Sequence, residues 1–197
     1  MKKISIKVIA EISIFAGLCF VFDFIQSKIT GSLFPNGGSI GFAMVPVLII
    51  SIKRGLLPGI LCGLIASLLQ MLGGIWVIPG ADFSSEILKV LAPFTQVMLD
   101  YVLGYTVVGL AGLFSRLYKN ERSNKYIILL LAGVVGGFSK YFVHVLSGLI
   151  FWPGEIFGIS GFMYSFVYNG LYVIPSIIIS LIILLIIQKT YKKIYGE

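Results

Sequence analysis

The sequence predicts an all-α integral membrane protein: a six-transmembrane-helix bundle with both termini cytoplasmic. Three observations lead there. Of 197 residues, 58% are hydrophobic and only 12% are charged, whereas a soluble domain carries roughly a quarter charged residues. A soluble fold of this length cannot hide so much apolar surface from water. The apolar residues fall into six runs, and the basic residues gather in alternate connections between them. That pattern turns the net charge of +7 into a topology signal rather than a nucleic-acid surface. The length suits one membrane domain over residues 1–197.

A membrane helix needs about 20 mostly apolar residues. The first run extends from about Val8 to Ile25. Lys2, Lys3 and Lys7 precede it in the manner of a signal peptide, but no A-x-A-like cleavage site follows, so a retained helix is expected. The second run, Ile40 to Ile52, is short and stops at Lys53-Arg54-Gly55. The third covers Leu56 to Leu72. The fourth covers Pro93 to Leu113, with Pro93 expected in the first turn, where a missing N–H costs little. The fifth covers Tyr126 to Trp152 and stops at Pro153-Gly154. The sixth covers Gly161 to Ile187, with Pro175 as an expected kink.

With the N-terminus inside, Lys53, Arg54, Arg116, Lys119, Arg122, Lys125, Lys189, Lys192 and Lys193 join the N-terminal lysines in the cytoplasm. Lys28, Lys89, Asp82, Glu86 and Glu155 fall outside. Two outside loops are long. Gln26 to Ser39 ends in Pro35-Asn36-Gly37-Gly38-Ser39, a turn-forming run. Gly73 to Leu91 carries Trp76 and Pro79. Each suits either a cover over a cavity or a plain connector. Gly55, Gly59 and Gly63 are spaced for close helix packing. Ser13 and Gly17 form a small-x-x-x-small pair suited to internal packing or to a partner membrane protein. Cys19 and Cys62 lie in apolar runs without His or Asp companions and read as packing residues.

Ionisable residues inside a span are costly and point to function. Glu11 and Asp23 lie near the ends of the first run, where water is within reach. Asp100 lies deeper, seven residues after Pro93, or roughly 10 Å of helix rise. His144 lies eight residues before Trp152, and Asn169 eight after Gly161, each roughly 12 Å down. Three polar side chains on three helices therefore share a depth. Lys140, His144 and Gly148 are spaced by four and share a face, which Trp152 continues. Gly148 reads as a gap that lets a flat ring approach the backbone. Tyr101, Tyr164 and Tyr168 add aromatic surface.

This mixture suits a small-molecule site. Asp100 favours a cationic ligand, the rings attract positive charge through their faces, and Asn169 both donates and accepts. Lys140 is the expected partner of Asp100 when no ligand is bound. The same residues also suit a structural ion pair, an aromatic belt and a helix–helix hydrogen bond. No H-E-x-x-H, nucleotide-binding Gly-rich loop or channel filter occurs, which speaks against an enzyme, an ATPase and a channel. No metal site or cofactor is implied.

Three stretches resemble a known family: Pro93-Phe-Thr-Gln-Val-Met-Leu-Asp-Tyr101, Lys140-Tyr-Phe-Val-His-Val-Leu-Ser-Gly-Leu-Ile-Phe-Trp152, and Tyr164-Ser-Phe-Val-Tyr-Asn-Gly170. They are similar to the thiamine-specific substrate-binding subunit (S-component) of energy-coupling factor (ECF) transporters, and the second stretch is similar nearly residue for residue. The resemblance implies an S-component-like six-helix fold in a bacterial plasma membrane, binding thiamine from outside. It implies that Asp100 faces the bound cation and that Trp152 and His144 flank the rings. Tyr101, Lys140, Tyr164 and Asn169 complete the polar contacts beside the gap read at Gly148, and Gly37, Gly38 and Ser39 form a lid loop. Ser13 and Gly17 match the face that meets the membrane coupling subunit, which works with two ATPases. Some relatives carry a lid tryptophan where this chain has Asn36-Gly37-Gly38. The alternatives are an S-component for another vitamin or a thiamine precursor, a membrane scaffold, and an intramembrane enzyme.

Overall fold

The computed structural model describes residues 4–78 and 85–195, with side chains as far as residue 190. Lys2, Lys3, Pro79 and Asp82 lie outside the described residues, as do the side chains of Lys192 and Lys193. The helices are α1 (Ile6–Thr30), α2 (Val45–Arg54), α3 (Leu56–Gln70), α4 (Glu86–Lys119), α5 (Lys125–Phe151) and α6 (Phe162–Tyr195). Five of these runs are long and apolar enough to cross a membrane: α1, α3, α4, α5 and α6. Their outward faces carry large exposed apolar side chains such as Ile14, Phe24, Phe94, Phe142 and Ile178, as lipid contact requires.

The second helix departs from expectation. It begins at Val45, not Ile40, and has ten residues, or roughly 15 Å of rise, half the hydrocarbon thickness of ~30 Å. Before it, residues 34–44 stay irregular because side chains take their backbone groups. Thr30 Oγ1 accepts from the Ile40 N–H at 2.9 Å, Gln26 Oε1 accepts from the Ala43 N–H at 3.0 Å, and Ser176 Oγ accepts from the Gly41 N–H at 3.1 Å. Irregular backbone survives at membrane depth only where protein or a cavity surrounds it. Pro46 then lies in the first turn of the helix, and seven of the ten residues of α2 are buried.

The fourth helix also begins earlier than expected. Glu86 opens it, pairing with Lys89 at 2.6 Å, so Pro93 lies inside it rather than in its first turn. The polar pair interrupts the apolar run without interrupting the helix. The helix widens into a π turn at Met98–Val102 and tightens into a 3-10 stretch at Val107–Phe114. Asp100 sits in the π turn, a distortion frequent at functional sites. Helix α6 continues through Pro175. A hairpin absent from the sequence reading, β1 (Glu155–Ile156) with β2 (Ile159–Ser160), joins α5 to α6.

The basic ends of the helices meet. Arg54 holds Glu11 through two 2.5 Å contacts, a bidentate pair between α2 and α1. The Tyr118 hydroxyl meets Gln188 Oε1 at 2.5 Å. Here α3 and α4 touch backbone to backbone. A Cβ on Gly112 would lie 2.5 Å from the Leu56 nitrogen, and one on Gly109 would lie 2.5 Å from the Ile60 nitrogen. Cys19 and Cys62 are free and fully buried. The face of α1 bearing Ser13 and Gly17 is open, with nothing within 4 Å of a Cβ built on Gly17.

Candidate ligand-binding site

At the opposite end the helices part around a cavity of about 510 Å³. All eight expected site residues line it: Asp100, Tyr101, Lys140, His144, Gly148, Trp152, Tyr164 and Asn169. So do Gly37, Gly38 and Ser39 of the expected lid. The shared depth of Asp100, His144 and Asn169 is thus a shared cavity wall.

Asp100 stands at one corner. The Trp152 indole N–H donates to its Oδ2 at 3.0 Å, and the Gln96 amide donates to the same oxygen at 3.3 Å. Tyr101 binds the loop above, where its hydroxyl accepts the Trp76 N–H at 2.8 Å. The Trp76 ring lies 4.6 Å from the Trp152 ring, tilted by 37°. An indole therefore does cover this corner, brought by the loop before α4 rather than by the loop before α2.

Lys140 does not pair with Asp100. Its ammonium sits 3.5 Å from the centroid of the Tyr105 ring. The Tyr105 hydroxyl donates to Asp23 Oδ1, which also accepts from Gln26 Nε2 at 3.3 Å. Asp23 was expected near water, yet it is only 7% exposed and lines the cavity. Helix α1 runs on to Thr30, so Asp23 lies more than a turn inside its end. A cation over a desolvated ring gains from the ring's negative face.

Gly148 has a different use from the one expected. A Cβ there would lie 2.2 Å from Ser165 Oγ and 3.1 Å from Asn169 Nδ2. The gap is filled by α6, so Gly148 brings Asn169 to the wall instead of admitting a ring. Asn169 Nδ2 donates to the Ser165 carbonyl at 2.9 Å, and its Oδ1 accepts from the Tyr172 hydroxyl at 2.5 Å. His144 Nε2 is buried without a partner among the described residues. An unpaired buried nitrogen costs stability, and on a cavity wall it is a natural contact for a bound molecule.

Tyr164, Tyr168 and Tyr172 rise along α6 beneath the loop of residues 34–44. The Asn36 side chain donates to the Tyr164 hydroxyl at 2.8 Å, and the Asn36 N–H donates to the Tyr168 hydroxyl at 2.9 Å. Tyr168 in turn donates to the Gly37 carbonyl at 3.1 Å. Gly38 has φ +113°, and a Cβ there would lie 2.7 Å from the Tyr172 ring. Only glycine meets both conditions.

Sequence reasoning missed Asp23, Gln26 and Tyr105, which line the cavity, and Gln96, which supports Asp100 from behind. The spacing held a signal: Gln26 follows Asp23 by three residues and Gln96 precedes Asp100 by four, so each amide shares a helix face with an acid. The assembled site offers carboxylate, imidazole, amide and several rings around one space. It suits a flat, positively charged molecule with hydrogen-bonding groups at its edge.

Known proteins share this arrangement's sequence and fold. A protein of Bacillus subtilis (strain 168) described as thiamine transporter ThiT is 26% identical over 171 residues, covering 84% of this chain and 81% of its own. A Lacticaseibacillus paracasei protein of the same description is 28% identical over 137 residues, covering 66% and 63%. A solved structure of ThiT from Listeria monocytogenes superposes with a TM-score of 0.72 at 29% identity, covering 94% of this chain and 95% of that one. The family described as thiamine transporter protein (Thia_YuaJ) matches residues 9–196, nearly the whole chain, and the chain therefore belongs to that family.

Proposed function

We propose that this chain is the thiamine-binding subunit of an ECF-type vitamin uptake transporter. It captures thiamine from outside and delivers it inward with a membrane coupling subunit and two ATPases. Family membership already makes it a multi-pass bacterial membrane protein and a membrane component of thiamine uptake, not an enzyme. The observation that carries the finer reading is the corner at Asp100. A carboxylate stands beside two tryptophan rings and faces a cavity that also holds His144, Asn169 and Lys140. A positively charged heteroaromatic ring with an amine-bearing partner ring meets complementary groups there.

In this reading the helices cross the membrane six times, with α2 as a half-length crossing, and both termini face the cytoplasm. The clustering of basic residues at one end supports that orientation. Asn36, Gly37, Gly38 and Ser39 serve as the lid, and the open Ser13–Gly17 face receives the coupling subunit. Titrating the detergent-purified chain with thiamine, followed by tryptophan fluorescence, tests the ligand. Saturable binding at micromolar thiamine or below is expected. No saturation there, with binding of a different vitamin or of a precursor, would replace thiamine in this scheme.

A further inference from the structure

Gln96 is fully buried, with 0% of its surface exposed. A buried amide is costly unless its groups are paired. This one is paired in three directions. Its Oε1 accepts from the Ile78 N–H at 2.9 Å, and its Nε2 donates to the Trp76 carbonyl at 3.1 Å and to Asp100 Oδ2 at 3.3 Å. These partners determine the amide's orientation, since a flipped group would set its oxygen against a carbonyl and a carboxylate.

The bonds close a circuit. From Asp100 it runs through Gln96 to the Trp76 backbone, across the 4.6 Å ring contact to Trp152, and back through the indole N–H to Asp100. Both bonds onto the carboxylate land on Oδ2, and among the described residues none lands on Oδ1. One oxygen is anchored, and the other is left for a ligand.

We infer that Gln96 is a positioning residue that couples the ligand-facing carboxylate to the seating of residues 74–78. With Trp76 seated, the carboxylate is held at the angle the ligand needs. A ligand held by Asp100 in turn keeps Trp76 against Trp152. Such coupling is reciprocal by linkage. The inference rests on the reading of Asp100 as the ligand's counter-charge.

The chain contains two tryptophans, Trp76 and Trp152, so its near-ultraviolet circular dichroism reports their contact directly. The test uses the full chain in detergent. Gln96→Met keeps the side-chain length and removes the three polar bonds. It is expected to abolish the tryptophan-pair signal without ligand and to weaken thiamine roughly ten- to a hundredfold, the effect of losing a hydrogen bond to a charged group. Trp76→Ala is expected to weaken thiamine by a similar factor, and the double variant no further than the larger single loss. Of the three bonds, Ile78→Pro removes the one to Oε1 and leaves the two that Nε2 donates. It is expected to produce both changes at smaller size, and it decides the matter if Gln96→Met does not fold. A retained tryptophan-pair signal in Gln96→Met or Ile78→Pro, or losses that multiply in the double variant, would overturn the coupling. If Asp100→Asn binds thiamine as tightly as the parent chain, the reading of Asp100 as the ligand's counter-charge fails instead, and the tryptophan signal of Gln96→Met still decides the coupling.

Discussion

At the basic end of the bundle, α3 and α4 meet backbone to backbone through Gly109 and Gly112. At the cavity end, the loops and helices are joined through amides, hydroxyls and rings, as in the Asn36–Tyr164, Gln26–Ala43 and Gln96–Trp76 contacts. Close backbone packing in lipid draws on dispersion and has one good arrangement. Polar side-chain bonds are directional, and a ligand bearing donors and acceptors can replace them. The molecule thus keeps its rigid joint and its exchangeable one at opposite ends.

Asp100→Asn is the strongest way to break that contrast. It removes the charge and leaves the shape. It is expected to weaken thiamine about a hundredfold, as expected when one partner of a buried charge pair is lost. A neutral thiamine analogue should lose far less, and the unfolding midpoint should hardly move. Calorimetric titration with both ligands checks this, and equal losses would remove the charge role. Next in size comes Gly112→Ala, which pushes a methyl against the Leu56 nitrogen. A stability loss of about 1–3 kcal/mol is expected from overpacking, read by unfolding in detergent, with the affinity of the folded fraction kept. A drop in affinity without a drop in stability would mean that the two ends are not separable. The smallest effect is expected from Gly17→Leu, where nothing lies within 4 Å. Stability should change by less than about 1 kcal/mol and thiamine affinity should hold. Copurification with a coupling subunit should fall, and unchanged copurification would assign that face to lipid alone.

Much of this contrast was legible in the sequence. The spans stood out because lipid leaves a continuous apolar signal, and the Lys140–Trp152 face stood out because helical spacing is regular. The depths were counted from assumed helix ends, and Pro93 is not the start of its helix, which begins at Glu86; Asp100, His144 and Asn169 nevertheless line one cavity. Gly148 was misread because an absent side chain looks the same whether a ligand or a neighbouring helix fills the space. Asp23 was missed because hydropathy ended the first span at Ile25, while the helix continues to Thr30. The length of α2 was overestimated because Ile40, Phe42 and Met44 are apolar without being helical. In that stretch the N–H groups of Ile40, Gly41 and Ala43 bond to the side chains of Thr30, Ser176 and Gln26, which no local pattern reveals.

That half-length helix has a consequence for how such a site changes over time. One wall of the cavity is the irregular stretch of residues 35–44 that runs into the short helix. Lengthening, shortening or recomposing that one segment alters the volume and lining available to a guest, and the glycine-packed end need not register the edit. A chain built this way can explore new cargo by altering its connector while its scaffold stays the same.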